Sequence, residues 1–199
     1  MAPHFSTVHR PGGRGFSLIE IAITLTIIGI IAMLATTAAH KYMMSVKVAE
    51  ARNSLGQIAK DALTKFEKES MSPTQLAPGS STQVLNGLCA SATNTVPPGG
   101  VASTPAGKKY QSTGADWDAA KDPNVGFYCL KFVLDQPQYF LYDYTASGTL
   151  GVAGDTFTAT ANGDLNADGI TSTISITGAI DNSRLLNLAP NISETMPDE

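Results

Sequence analysis

From residue 16 the chain turns apolar and stays so to residue 39, with Glu20 as the one charge in 24 residues. As a helix, such a run spans the roughly 30 Å hydrocarbon core of a bilayer. A helix buried in a soluble protein is rarely apolar on every face for so long. From His40 onward the pattern changes without a helix breaker. Lys41, Lys47, Glu50, Arg52, Lys60, Asp61, Lys65, Glu67, Lys68 and Glu69 enter, while Leu55, Ile58, Ala59, Ala62, Leu63 and Phe66 keep the three-and-four spacing of an amphipathic helix. No proline occurs between residues 16 and 72. The pattern therefore predicts one helix over residues 16–69, roughly 80 Å long, apolar all round in its first half and one-sided in its second.

Residues 71–124 are rich in Ser, Thr, Pro, Gly and Ala, as in Val96-Pro97-Pro98-Gly99-Gly100, which is loop composition. A loop this long usually signals function, a staple or disorder. Strand signals dominate from residue 125. Residues 126–133 and 138–144 are aromatic and branched, and residues 156–160 and 170–177 follow, separated by turn residues. Short strands in this order predict an antiparallel meander over 125–180. Residues 181–199 are polar, with Pro190 and Pro197, and read as loop. The expected class is α+β, a long N-terminal helix with its second half packed on an antiparallel sheet. The expected segments are 1–15 as a leader, 16–40 as a transmembrane or filament-core helix, and 41–199 as a head. Within the head, 41–70 is the amphipathic helix.

Charge sharpens the N-terminus. Residues 1–15 carry Arg10 and Arg14 among Pro3, Pro11, Gly12 and Gly13, with no core-forming pattern, and read as a leader to be removed. Positive charge ahead of the apolar run keeps the N-terminus cytoplasmic and sends the rest across the membrane. The net charge of −4, with no basic cluster, argues against nucleic-acid binding. The two cysteines, Cys89 and Cys129, are open to three readings: free thiols, part of a metal site, or a disulfide. Few other ligands stand near enough in sequence for zinc, and export favours the disulfide.

The string Arg14-Gly15-Phe16-Ser17-Leu18-Ile19-Glu20, leading straight into the apolar run, resembles the cleavage site of type IV prepilins and type II secretion pseudopilins. Gly29, Tyr42 and the stretch Ala49-Glu50-Ala51-Arg52-Asn53-Ser54-Leu55 are also similar to that family. Many major pilins have proline where this chain has Thr37. The resemblance implies a pilin fold, cleavage between Gly15 and Phe16 by a prepilin peptidase, and N-methylation of Phe16. It implies storage in the inner membrane with the head exported. It also implies assembly, by an inner-membrane platform, into a homo-oligomeric filament with other pilins, at the cell surface or in the periplasm. Glu20 is implied as the residue that meets a neighbour's N-terminus.

The physics of Glu20 points the same way. A carboxylate inside a membrane-spanning run costs on the order of 3 kcal/mol unless paired, and cleavage creates the Phe16 ammonium as a partner. The alternative is a local cap on the first helical turn. Asp164, Asn166 and Asp168 reproduce the opening of an oxygen-ligand calcium loop. Ser175 stands where a bidentate glutamate would close an EF-hand, and an Asp-Gly hairpin turn explains the same residues. The aromatic cluster Phe127, Tyr128, Phe132, Tyr139, Phe140, Tyr142 and Tyr144 reads as packing of sheet on helix. No nucleophile–base pattern or phosphate-binding glycine loop is present, so the expected role is structural rather than enzymatic. The rivals are a pseudopilin, sharing the same N-terminal residues, and a secreted enzyme or binding protein cut near Thr37-Ala38-Ala39.

Overall fold

The computed structural model describes residues 15–68, 70–71, 78–79 and 84–197. Residues 1–14 of the expected leader lie outside that set, as do 72–77 and 80–83 of the long loop. The chain divides into two units, Met1–Tyr42 and Met43–Glu199. Helix α1, Leu18–Glu67, contributes to both.

In the first unit, Ser17 and Glu20 start the helix. Ser17 Oγ accepts the Glu20 N–H at 3.3 Å, and a Glu20 carboxylate oxygen accepts the Ser17 N–H at 3.1 Å. These reciprocal bonds form a capping box, satisfying donors that the first turn otherwise leaves orphaned. Beyond it the large side chains are exposed, from Ile21 at 49% to Leu34 at 64%. Thr24, Thr26, Thr36 and Thr37 return their hydroxyls to carbonyls three or four residues back. A hydroxyl bonded to its own helix needs no water, so these threonines suit apolar surroundings.

In the second unit α1 buries a stripe: Met44, Val48, Ala51, Leu55, Ile58, Ala62 and Phe66. The steps of three and four keep these residues on one face. They share one core with the sheet residues Tyr142, Tyr144, Phe157, Ala159, Ala161, Ile174 and Ile180. Two short strands, β1 (Ser70–Met71) and β2 (Val84–Leu85), pair with each other after the helix. A 3-10 turn at Val101–Ser103 and helix α2, Gly114–Trp117, follow in the long connection.

The main sheet is antiparallel. Strand β3 (Leu141–Ser147) pairs with β4 (Thr156–Gly163), and β4 with β5 (Ser172–Ile180). The register sets Tyr144 opposite Ala159 and Ala161 opposite Ile174, large against small on the buried face. Along β4 the threonines 156, 158 and 160 alternate with Phe157, Ala159 and Ala161, the two-residue period of a half-buried strand. Beyond β5, strand β6 (Leu186–Leu188) pairs with its C-terminal end and β7 (Ser193–Thr195) with its N-terminal end.

Three expectations are corrected. Residues 126–133 do not form the first strand of the meander; Gly126–Leu130 is a short helix, α3. Gly126 sits at φ 54°, and a Cβ there would lie 2.7 Å from the Cα of Ala92. Lys131 ends the helix in the left-handed conformation, φ 60°, its N–H directed at the Phe127 and Tyr128 carbonyls. Burial of Phe127, Leu130 and Phe132 overrides the strand preference of their residue types. The sheet begins at Leu141 rather than at residue 125. Residues 181–199 are not loop throughout, because β6 and β7 extend the sheet. Likewise the span 71–124 contains the short elements named above.

Strand β5 sets a glycine, Gly178, opposite Phe157 of β4 for a packing reason. A Cβ on Gly178 would strike the Phe157 ring, which lies over it in the core. Gly178→Ala should therefore cost about 1–3 kcal/mol through overpacking. Urea unfolding would show this as a lower midpoint with the slope unchanged.

Candidate functional site

Residues 15–17 precede the helix without regular structure. Phe16 is 83% exposed, and the space around the Gly15 Cα is open. The Gly15–Phe16 bond therefore sits in an exposed segment without regular structure. Nothing in the chain's own packing demands glycine at 15, since a Cβ there would meet no atom within 4 Å.

Glu20 lies in the first turn of α1. Its Oε2 accepts both the Ser17 N–H at 3.1 Å and the Ser17 hydroxyl at 3.2 Å. In the single chain the carboxylate thus serves as a cap, and the two bonds leave Oε1 outside the box. Capping and an intermolecular ion pair are therefore compatible on the one side chain. Gly29, like Gly15, has open space where a Cβ would stand, leaving a notch on an otherwise bulky helix surface. Tyr42 is 71% exposed.

The segment carrying Gly15, Phe16, Glu20 and Gly29 matches the family model described as the prokaryotic N-terminal methylation motif, over residues 10–36. This is the class III signal of type IV pilins and pseudopilins. No curated protein and no solved structure matches the chain. The architecture agrees with the signal: a long N-terminal helix and a separate antiparallel sheet make an α+β fold of the pilin kind. The motif implies processing by prepilin peptidase and assembly with other pilins, and the apolar helix fits a membrane anchor.

Cys89 and Cys129 are joined by a disulfide that closes a 40-residue separation, with the Cα atoms 5.9 Å apart. Backbone bonds run beside it, from Ala90 N–H to the Asn124 carbonyl at 2.8 Å and from Gly126 N–H to the Ala90 carbonyl at 2.9 Å. The bridge thus ties the long connection to α3. In the chain-entropy account such a loop closure contributes about 4 kcal/mol. Cys89→Ser with Cys129→Ser should lower stability by up to that amount, read as a loss in unfolding free energy against the oxidised protein.

The residues Asp164, Asn166 and Asp168 do come together in the β4–β5 turn, and they spend their oxygens on that turn. Asp164 accepts the Ala167 N–H at 2.6 Å and the Gly169 N–H at 3.1 Å. Asn166 Oδ1 accepts the Asp168 N–H at 3.0 Å, and Asp168 Oδ1 accepts the Ile170 N–H at 2.7 Å. The left-handed Ala167 (φ 64°) and Gly169 (φ 88°) complete the 164–171 connection between β4 and β5. Among the described residues no group of three or more His, Cys, Asp or Glu is placed to hold a metal ion. Asp164 is buried, so Asp164→Ala should cost about 1.5–3 kcal/mol by stranding backbone donors. Millimolar calcium should leave the melting curve of the native protein unchanged. A rise in Tm that Asp168→Ala abolished would assign the loop to calcium instead.

Other polar anchors had no local signal. Arg52 on α1 forms a two-pronged ion pair with Glu194 on β7, at 2.6 and 2.8 Å. Glu50 accepts the Tyr139 N–H at 2.8 Å, and burial pushes its carboxyl above the usual range. The ammoniums of Lys47 and Lys109 lie 4.9 and 4.7 Å from the Tyr139 ring centre. Trp117 packs edge-on against Phe127 and Phe132 and donates its indole N–H to Ser112 Oγ at 2.9 Å.

Proposed function

We propose that this chain is a structural subunit of a type IV pilus or pilus-like filament, and not an enzyme. A prepilin peptidase cuts it after Gly15 and methylates the Phe16 amine. Residues 16–40 hold it in the inner membrane with residues 41–199 exported, and an assembly platform then moves it into a filament with copies of itself and other pilins. The observation that carries this reading is one coincidence: an exposed Gly15–Phe16 junction, Glu20 one turn later, and an uncharged stretch of helix, residues 21–39, whose large side chains are exposed.

In the filament these helices cover one another, replacing lipid as the apolar surroundings. Glu20 of one subunit meets the Phe16 ammonium of the next. In a low-dielectric bundle that attraction is strong, and it sets the axial register because the apolar side chains alone do not. Thr37 bonds to the Leu34 carbonyl within an unbroken helix, where many major pilins have proline. That continuity favours keeping a second reading, a pseudopilin of a type II secretion system, which uses the same N-terminal chemistry.

Glu20→Ala tests the reading. The variant should be stable, exported and membrane-held, because losing the charge eases insertion. Its recovery in sheared filaments should fall about tenfold or more, as loss of about 1.4 kcal/mol would produce. Normal incorporation would leave Glu20 as a cap and nothing further. Deletion of the chain separates the two readings: loss of surface fibres assigns a pilin, and loss of protein secretion with fibres intact assigns a pseudopilin.

A further inference from the structure

Leu186 is the last residue that the chain buries among those described. From Asn187 to Pro197 no side chain is buried, and Leu188 and Ile192 are only partly covered against the core. Strand β7 is therefore held by means other than a buried side chain. Three register pairs join it to β5: Thr195 with Thr173, Glu194 with Ile174 and Ser193 with Ser175. The hold of β6 reaches Ala189, whose N–H bonds to the Thr177 carbonyl at 2.8 Å. Strand β4, by contrast, buries Phe157, Ala159 and Ala161 in the core.

The remaining tie is electrostatic. Arg52 on α1 donates from Nε and Nη2 to the two carboxylate oxygens of Glu194, at 2.6 and 2.8 Å. This is the one ion pair among the described residues, and it falls on the strand with the least burial. Hydrogen bonds from Arg52 hold the Glu194 carboxyl below its ordinary range, and the same contact raises the Arg52 guanidinium. Both side chains stay in reach of water, at 46% and 23% exposure, so salt screens the pair. Segments with few buried apolar contacts open locally, well short of global unfolding. When closed, β7 covers the β5 edge at Thr173–Ser175, as β6 covers it at Gly178–Ile180. When β7 is open, that stretch of β5 is an unpaired strand edge.

We propose that β7 is a strap that opens and closes on the β5 edge as a unit, with the Arg52–Glu194 pair as its lock. Ionic strength then sets how often Thr173–Ser175 are bared, while β3, β4 and the rest of β5 stay folded. The filament reading makes no use of this strand, and the inference does not depend on it.

Hydrogen exchange read by mass spectrometry, on the full chain in detergent micelles, tests the strap. Peptides covering 189–197 report β7, and peptides covering 156–163 report β4. At low salt, about 10 mM, residues 189–197 should exchange about tenfold or more faster than 156–163. Glu194→Gln should speed 189–197 by about fivefold, as loss of an exposed two-pronged pair would, and leave 156–163 unchanged. Raising salt to about 1 M should speed 189–197 relative to 156–163 by a similar factor in the wild type and leave that ratio unchanged in the variant. Equal exchange of the two segments in the wild type would show that β7 opens only with the whole fold, and would overturn the proposal. So would an unchanged rate in Glu194→Gln, a rise in both segments together, or the same salt response in both proteins.

Discussion

Between residues 21 and 39, α1 offers apolar side chains on every face, and its large residues are half or more exposed. Each such side chain left in water forgoes about 1.5–3 kcal/mol, so the helix must be covered by lipid or by other helices. The rest of the protein is arranged around that requirement. The threonine hydroxyls in the run are returned to the helix's own carbonyls, so no side-chain donor there needs water. Glu20 is the one charge in the run, and it stands next to the bond whose cleavage would create its counterion.

The same helix meets a different demand from Met44 onward. Its apolar residues narrow to a stripe that packs on β3, β4 and β5, and its polar residues turn to specific tasks. Arg52 holds β7, and Glu50 caps the approach to β3 at the Tyr139 N–H. The disulfide fixes the long connection where composition alone would leave it loose. One element thus serves two environments, and the change falls near residue 42, where the two units divide.

Much of this was legible because it rests on periodicity. The absence of proline and the three-and-four spacing made a single helix readable, and the short runs at 156–160 and 170–177 between turn residues made β4 and β5 readable. Helix α3 was not, because Phe127, Tyr128 and Val133 carry strand propensity while the deciding facts are the positive φ of Gly126 and the nearness of Ala92. Strands β6 and β7 are three residues each and exist by pairing with β5, a nonlocal cause. Arg52 and Glu194 are 142 residues apart, beyond any local pattern. In the loop of Asp164, Asn166 and Asp168 the residues were readable but their hydrogen bonds were not, because the oxygens that suit calcium also suit the turn's own N–H groups. The N-terminal junction was legible because its meaning is chemical and local, a cut site and a charge at a fixed distance.

The central claim is that the exposed Gly15–Phe16 bond is the processing site of a subunit held by the helix that follows. Intact mass with fragment sequencing, on protein taken from the native membrane, tests it most directly. The account predicts a chain lacking residues 1–15 whose N-terminal residue is Phe16 carrying one added methyl group. A mature chain beginning at His40, or one that keeps residues 1–15, would contradict it.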